Sequence, residues 1–96
     1  EIYRKVEETA GVLEGMAVAY WKLGELEKAE RFALKALEMD SKSITAMINL
    51  AAIYGAGGKL EKAEKLLNRV LEIDSDNSTA LENLRRLKEA ERERDG

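Results

Sequence analysis

Apolar side chains return at three- and four-residue steps along most of the chain. Leu13, Met16, Ala17, Tyr20 and Leu23 recur this way, which marks an amphipathic helix with one face toward a core. Thr9 can cap that helix at Ala10, or a pattern begun by Ile2, Tyr3 and Val6 can run straight into it. Gly11 and Gly15 lie inside it and cost about 1 kcal/mol each relative to alanine, so packing rather than propensity must hold the segment. Gly24 stops it. A second helix is expected from about Glu25 to Met39, burying Leu26, Ala29, Phe32, Ala33, Ala36 and Leu37. Glu27 and Arg31 are spaced there for an ion pair on the solvent side. Ser43 can cap a third helix, which carries Met47, Leu50, Ala51, Ile53 and Tyr54 and gives out at Gly55-Ala-Gly-Gly58. A fourth, about Leu60 to Ile73, buries Leu66, Leu67, Val70 and Leu71. Asn77 or Ser78 caps a fifth, with Leu81, Leu84 and Leu87 as its apolar stripe. After Ala90 charge follows charge, and the helix should fray.

The pattern repeats. Gly24-Glu-Leu-Glu-Lys-Ala-Glu30 returns thirty-four residues later as Gly58-Lys-Leu-Glu-Lys-Ala-Glu64, with one change in seven. Leu37-Glu-Met-Asp-Ser41 returns at the same offset as Leu71-Glu-Ile-Asp-Ser75, and Ala17/Ala51, Tyr20/Tyr54 and Ala29/Ala63 coincide too. The alanines allow two helix backbones to approach, and the tyrosines fill the space beside them. A self-match at this period decides the architecture before any single residue does.

This combination resembles the tetratricopeptide repeat: thirty-four residues, two antiparallel helices, a small residue midway in the first and Gly-x-Leu-x-x-Ala at the turn. Two positions depart from the family. Its tryptophan early in the first helix is Leu13 and Met47 here, and its proline after the second helix is Ser41 and Ser75. The resemblance implies an all-α fold, a right-handed α-α superhelix of about two and a half helical hairpins and roughly five helices. One domain would span 1–96: an N-terminal extension or the end of an upstream repeat over 1–9, repeats at 10–43 and 44–77, and a C-terminal capping helix over 78–96. Arg85 stands where Ala17 and Ala51 make close contacts, and Lys88 where Tyr20 and Tyr54 pack. Charge at a tight helix contact is costly, so the fifth helix should close the stack. Ile2, Tyr3 and Val6 would leave the other end uncapped.

Composition agrees with packed helices: 45% hydrophobic, 36% charged, only 5% aromatic and no proline. The net charge of −3 gives no general attraction to nucleic acid or to an anionic membrane. Without cysteine or histidine, disulfides, thiolate chemistry and the commonest general base are missing. No apolar run reaches the roughly 18 residues of a membrane span. A cytoplasmic setting is the expectation, although a chain that opens on Glu1 reads as a piece of something longer, whose targeting signals lie elsewhere.

By resemblance, a concave surface lined by the first helix of each repeat would hold a peptide or helix. Its positions here are Gly11, Glu14, Val18, Trp21 and Lys22, then Thr45, Ile48, Ala52, Gly55 and Ala56, then Thr79, Glu82, Arg86 and Glu89. Val18, Trp21, Ile48 and Ala52 would form an apolar floor, and Glu14, Lys22, Thr45, Asn49 and Arg86 would orient the partner at the rim. Trp21 is the natural anchor, since tryptophan is enriched among interface hot spots; the competing reading packs it on the start of the chain.

Other chemistry finds less support. Some relatives grip the acidic tails of heat-shock chaperones with a two-carboxylate clamp, and the matching residues here are Glu14, Val18, Asn49, Thr79 and Asn83. Only Asn49 agrees, and Glu14 has the wrong sign for an anion, which argues against that partner. Gly55-Ala-Gly-Gly-Lys59 is no phosphate loop, because Ile53 and Leu60 occupy two required positions and no strand precedes it. Arg85, Arg86, Lys88, Arg92 and Arg94 are balanced by Glu82, Glu89, Glu91, Glu93 and Asp95, which describes a solvated helix rather than a nucleic-acid surface. No acid/base pair, metal set or cofactor motif stands out. The expected function is a non-catalytic protein-interaction module, and the alternative is a unit that self-assembles through its N-terminal face and groove.

Overall fold

A computed structural model describes residues 9–95. Ile2, Tyr3 and Val6, and with them the expected extension and uncapped N-terminal face, lie outside the described residues. Thr9 is in extended backbone and its side chain accepts a hydrogen bond from Val12 N at 3.2 Å, which caps α1 (Ala10–Lys22). Ser43 caps α3 (Ile44–Ala56) through Ala46 N at 3.1 Å. Asn77, rather than Ser78, caps α5 (Ser78–Asp95) through Ala80 N at 2.9 Å. Between these helices come α2 (Leu26–Met39) and α4 (Leu60–Ile73).

The turns after α1 and α3 are copies of one another. Gly24 and Gly58 have φ of 81° and 80°, the left-handed region where a side chain is strained. Gly24 N donates to Trp21 O at 3.0 Å and Glu25 N to Tyr20 O at 2.9 Å. Gly58 N and Lys59 N repeat this on Gly55 O at 3.1 Å and Tyr54 O at 2.8 Å. Two such reversed bonds past a left-handed glycine satisfy the last helical carbonyls and turn the chain back. Connections this short make neighbouring helices antiparallel.

Small residues form the contact surfaces. Ala17, Ala29, Ala33, Ala51 and Ala63 are buried in one cluster with Met47, Leu50, Ile53, Leu67 and Val70. Leu13, Ala36 and Ala46 form a second, and Phe32 and Leu37 pack against both. Tyr20 stacks on Phe32 with centroids 5.5 Å apart and planes 4° from parallel.

Leu23, placed on the core-facing stripe of the first helix, is instead the C-cap of α1 and 74% exposed. Three further expectations need correction. Leu81 does not belong to the buried stripe of α5, where Ala80 and Leu87 are buried and Leu84 is half-buried. Leu81 is 49% exposed, whereas its counterparts Leu13 and Met47 are 0% and 1% exposed. Each counterpart lies on a helix that another helix follows; among the described residues none follows α5. The second correction concerns the C-terminal end, where α5 continues past Ala90 to Asp95. Arg94 Nη2 donates to Glu61 Oε2 at 2.9 Å, fastening that end to the first turn of α4. The third concerns α2: among the described residues Glu30 pairs with Lys59 at 3.4 Å, while Glu27 and Arg31 form no ion pair with each other.

Two stability tests follow from this geometry. No atom lies within 4 Å of a Cβ added at Gly58 or at Gly15, so only backbone preference separates the two sites. Gly58→Ala should cost about 1–2 kcal/mol in urea unfolding, whereas Gly15→Ala, inside α1, should add about 0.5–1 kcal/mol. Met47→Ala should lose about 2–5 kcal/mol, while Leu81→Ala stays within about 0.5 kcal/mol of wild type.

Candidate functional site

The groove is built by fastening α1, α3 and α5 side by side. Ser43 Oγ accepts from Ala46 N and donates to Glu14 Oε2 at 3.0 Å, so one hydroxyl caps α3 and ties α1 to it. On the other side of α3, Leu87 Cδ2 comes within 3.5 Å of the position a Cβ would take on Gly55. Between these contacts lies a cavity of about 380 Å³. Trp21 borders it from α1, and Ile48, Asn49, Ala51, Ala52 and Gly55 from α3. Asn83, Arg86 and Leu87 come from α5, and Leu67 reaches in from α4. Trp21 is 37% exposed, which leaves much of its indole available to a ligand. A shallower polar depression continues past Asn83 and Arg86 to Ser78, Thr79 and Glu82.

Of the expected partner-binding residues, Trp21, Ile48, Asn49, Ala52 and Arg86 come together here. Glu14 is spent on Ser43. Val18 is half-buried and Lys22 and Thr45 are exposed, and none of the three borders the cavity. Ala51, Leu67 and Leu87 read as core in the sequence yet also line the cavity. The signal for that was Gly55, whose missing side chain opens a view onto them.

The polar groups fall into two kinds. Among the described residues, neither the Asn49 nor the Asn83 carboxamide has a hydrogen-bond partner. Each therefore offers a donor and an acceptor to whatever enters. Arg86, by contrast, is held: its Nε donates to Glu82 Oε2 at 3.2 Å. The Arg85 hydrogen bond, helped by the charges of Arg85 and Arg86, keeps the Glu82 carboxyl below its ordinary pKa. Arg85 also reaches Glu89 at 2.9 Å, so Arg85 and Arg86 are laced to acids of their own helix.

Among the described residues no group of three His, Cys, Asp or Glu side chains is placed to hold a metal ion. No helix among them is long and apolar enough to cross a membrane.

A sequence profile of the tetratricopeptide repeat matches residues 8–76. The chain belongs to the tetratricopeptide repeat family. Tetratricopeptide repeats are generally non-enzymatic, protein-interaction folds of helical hairpins, and the five helices described here fit that architecture. The first such domain of human RPAP3 is similar, with a TM-score of 0.85 at 28% identity over 91% of this chain and 68% of that one. The first repeat domain of Spaghetti (RPAP3), solved with the HSP90 peptide SRMEEVD, superposes with a TM-score of 0.81 at 29% identity over 85% of this chain. This chain spans 65% of its length. The second domain of human RPAP3, in complex with the HSP70 peptide SGPTIEEVD, gives 0.79 at 26% identity over 83% of this chain and 67% of that one. Among curated proteins nothing matches.

The hold of this repeat domain on Arg86 should depend on pH. A carboxylate whose folded-state pKa is lowered keeps its partners above that value and loses them as the pH falls through it. In an NMR titration the Arg86 Nε–H resonance should move with a midpoint below the ordinary glutamate range. The movement should vanish in Glu82→Gln.

Proposed function

We propose that this chain is a non-catalytic interaction module whose groove takes an apolar peptide or amphipathic helix from another protein. Repeats at 10–43 and 44–77 would supply α1 and α3 to the groove, and the segment over 78–96 would close the stack with α5. The observation that carries the reading is the partly exposed Trp21 beside a cavity with apolar walls and two unpartnered carboxamides. An aromatic anchor in a desolvated pocket is where binding energy concentrates. Carboxamides match the alternating donors and acceptors of a peptide backbone.

Relatives solved with chaperone peptides ending in EEVD support peptide binding as the class of function. The acidic end of such peptides is matched poorly here. Among the described residues Arg86 is the only cationic side chain bordering the cavity, it is already engaged by Glu82, and Glu14, Thr79 and Asn83 stand where the clamp needs cations. An apolar segment therefore fits better than an acidic tail. Self-assembly would use the same surfaces and is separated by the state of the chain in solution.

The test is selection of 16-residue peptides from a display library on the immobilised chain, followed by titration of the best binder. Trp21→Ala should weaken it by about thirtyfold, the scale of a hot-spot residue, while Met39→Ala, also exposed, leaves it unchanged. Undiminished binding by Trp21→Ala would sink the proposal. So would sedimentation equilibrium showing a dimer that the peptide cannot displace.

A further inference from the structure

We infer that Gly55 sets what the groove accepts, by holding open a socket for one bulky apolar side chain, leucine to phenylalanine in size, of a bound peptide. The inference rests on the groove being a peptide site and names the residue that makes it selective. At the repeat offset Gly55 is the counterpart of Trp21. One helix has the largest side chain at this position, and the next has none.

The usual structural reasons for glycine fail here. Among the described residues only Gly24 and Gly58 have positive φ, so the helical backbone at Gly55 takes an ordinary L side chain without strain. An added Cβ would sit 3.5 Å from Leu87 Cδ2, an ordinary van der Waals contact, so no close approach demands its absence. The helix-ending turn does not demand it either. Gly55 O accepts from Gly58 N at 3.1 Å, and Trp21 O accepts from Gly24 N at 3.0 Å in the same turn of α1. Trp21 therefore performs the same backbone task with a full side chain. A glycine inside a helix weakens it, and this one has no conformational return.

What remains is the space above it. Gly55 borders the cavity of about 380 Å³, with Trp21 and Ile48 alongside and the core side chains Leu67 and Leu87 reaching into it. A side chain inserted over Gly55 meets apolar atoms on these sides. The occupant is a peptide rather than a lipid chain, because the free carboxamides of Asn49 and Asn83 stand at the same cavity. A hydrocarbon chain leaves both unmatched, whereas a peptide's own amides satisfy them.

The experiment is a ¹H–¹⁵N NMR titration of the full chain with N-acetyl-leucine methylamide, using N-acetyl-glycine methylamide as the same backbone without a side chain. The leucine compound should shift the Trp21 indole and the Gly55 and Ala52 amides saturably, and the glycine compound should not. Gly55→Leu should weaken this binding at least tenfold with a melting temperature equal to or above wild type. Gly55→Ala, which fits without strain, should weaken it less. Equal binding of both compounds, or unchanged binding by Gly55→Leu and Gly55→Ala, overturns the socket. If Trp21→Ala abolishes the response while both Gly55 variants keep it, the groove survives and the socket does not. If the leucine compound moves no groove resonance in the wild type, the socket falls, and the groove stands or falls with the peptide selection.

Discussion

Everything in this fold is arranged around two backbone reversals that only glycine makes without strain. With Gly24 and Gly58 in the left-handed region, the last carbonyls of α1 and α3 are satisfied within the turn and the chain is aimed straight back. The returning helix then lies close enough that its contact residues must be small. That is why Ala29 and Ala63 face Ala17 and Ala51 in a core where all four are almost wholly buried. Larger side chains there would force the helices apart, and overpacking of this kind typically costs about 1–3 kcal/mol. Turn and alanine contact depend on each other, so the seven-residue motif recurs as one block rather than as scattered positions.

The third layer does the same job with different chemistry. In α3 the Tyr54 phenol interacts with the Glu30 carboxylate of α2; burial first, and then the Glu30 charge, raise its pKa. One repeat on, Lys88 replaces the tyrosine and Nζ reaches Glu64 of α4 at 3.6 Å. The acid is kept at the same offset, and the group that meets it changes from a packed ring to a solvated cation. A tyrosine needs a helix behind it to cover the ring, whereas a lysine is at ease in water. With Arg94 on Glu61, α5 is held to α4 by polar contacts at its distal end and by Ala80 and Leu87 within. Leu81, left open on the other side, occupies the slot a following helix would fill.

Local physics was legible in the sequence, and long-range geometry much less so. Thr9, Ser43 and Asn77 act on backbone groups three residues away, and Gly24 and Gly58 on their own turns, so helix boundaries could be read directly. Leu81 could not, because its exposure depends on whether another helix covers it; the stripe of α5 has the same spacing either way. Arg94 looked like part of a fraying end because Glu61, its partner, lies thirty-three residues upstream. Glu14 has the same history, since Ser43, twenty-nine residues away, claims it. The cavity was the hardest feature to foresee. It comes from a side chain that is missing at Gly55 and from core residues seen through the gap, and neither leaves a periodic signal.

The groove also unites the best and the least anchored parts of the domain. Trp21 and Ile48 project from helices that are packed into hairpins, whereas Asn83, Arg86 and Leu87 come from α5, which has a helix packed behind it on one side only. A ligand that touches both sides binds the docked arrangement of α5 and not the undocked one. By mass action it must then favour docking to the extent of its own affinity. If the groove binds as proposed, binding at this surface and order in the last helix would therefore be coupled, and the polar contacts that fasten α5 would weigh on both.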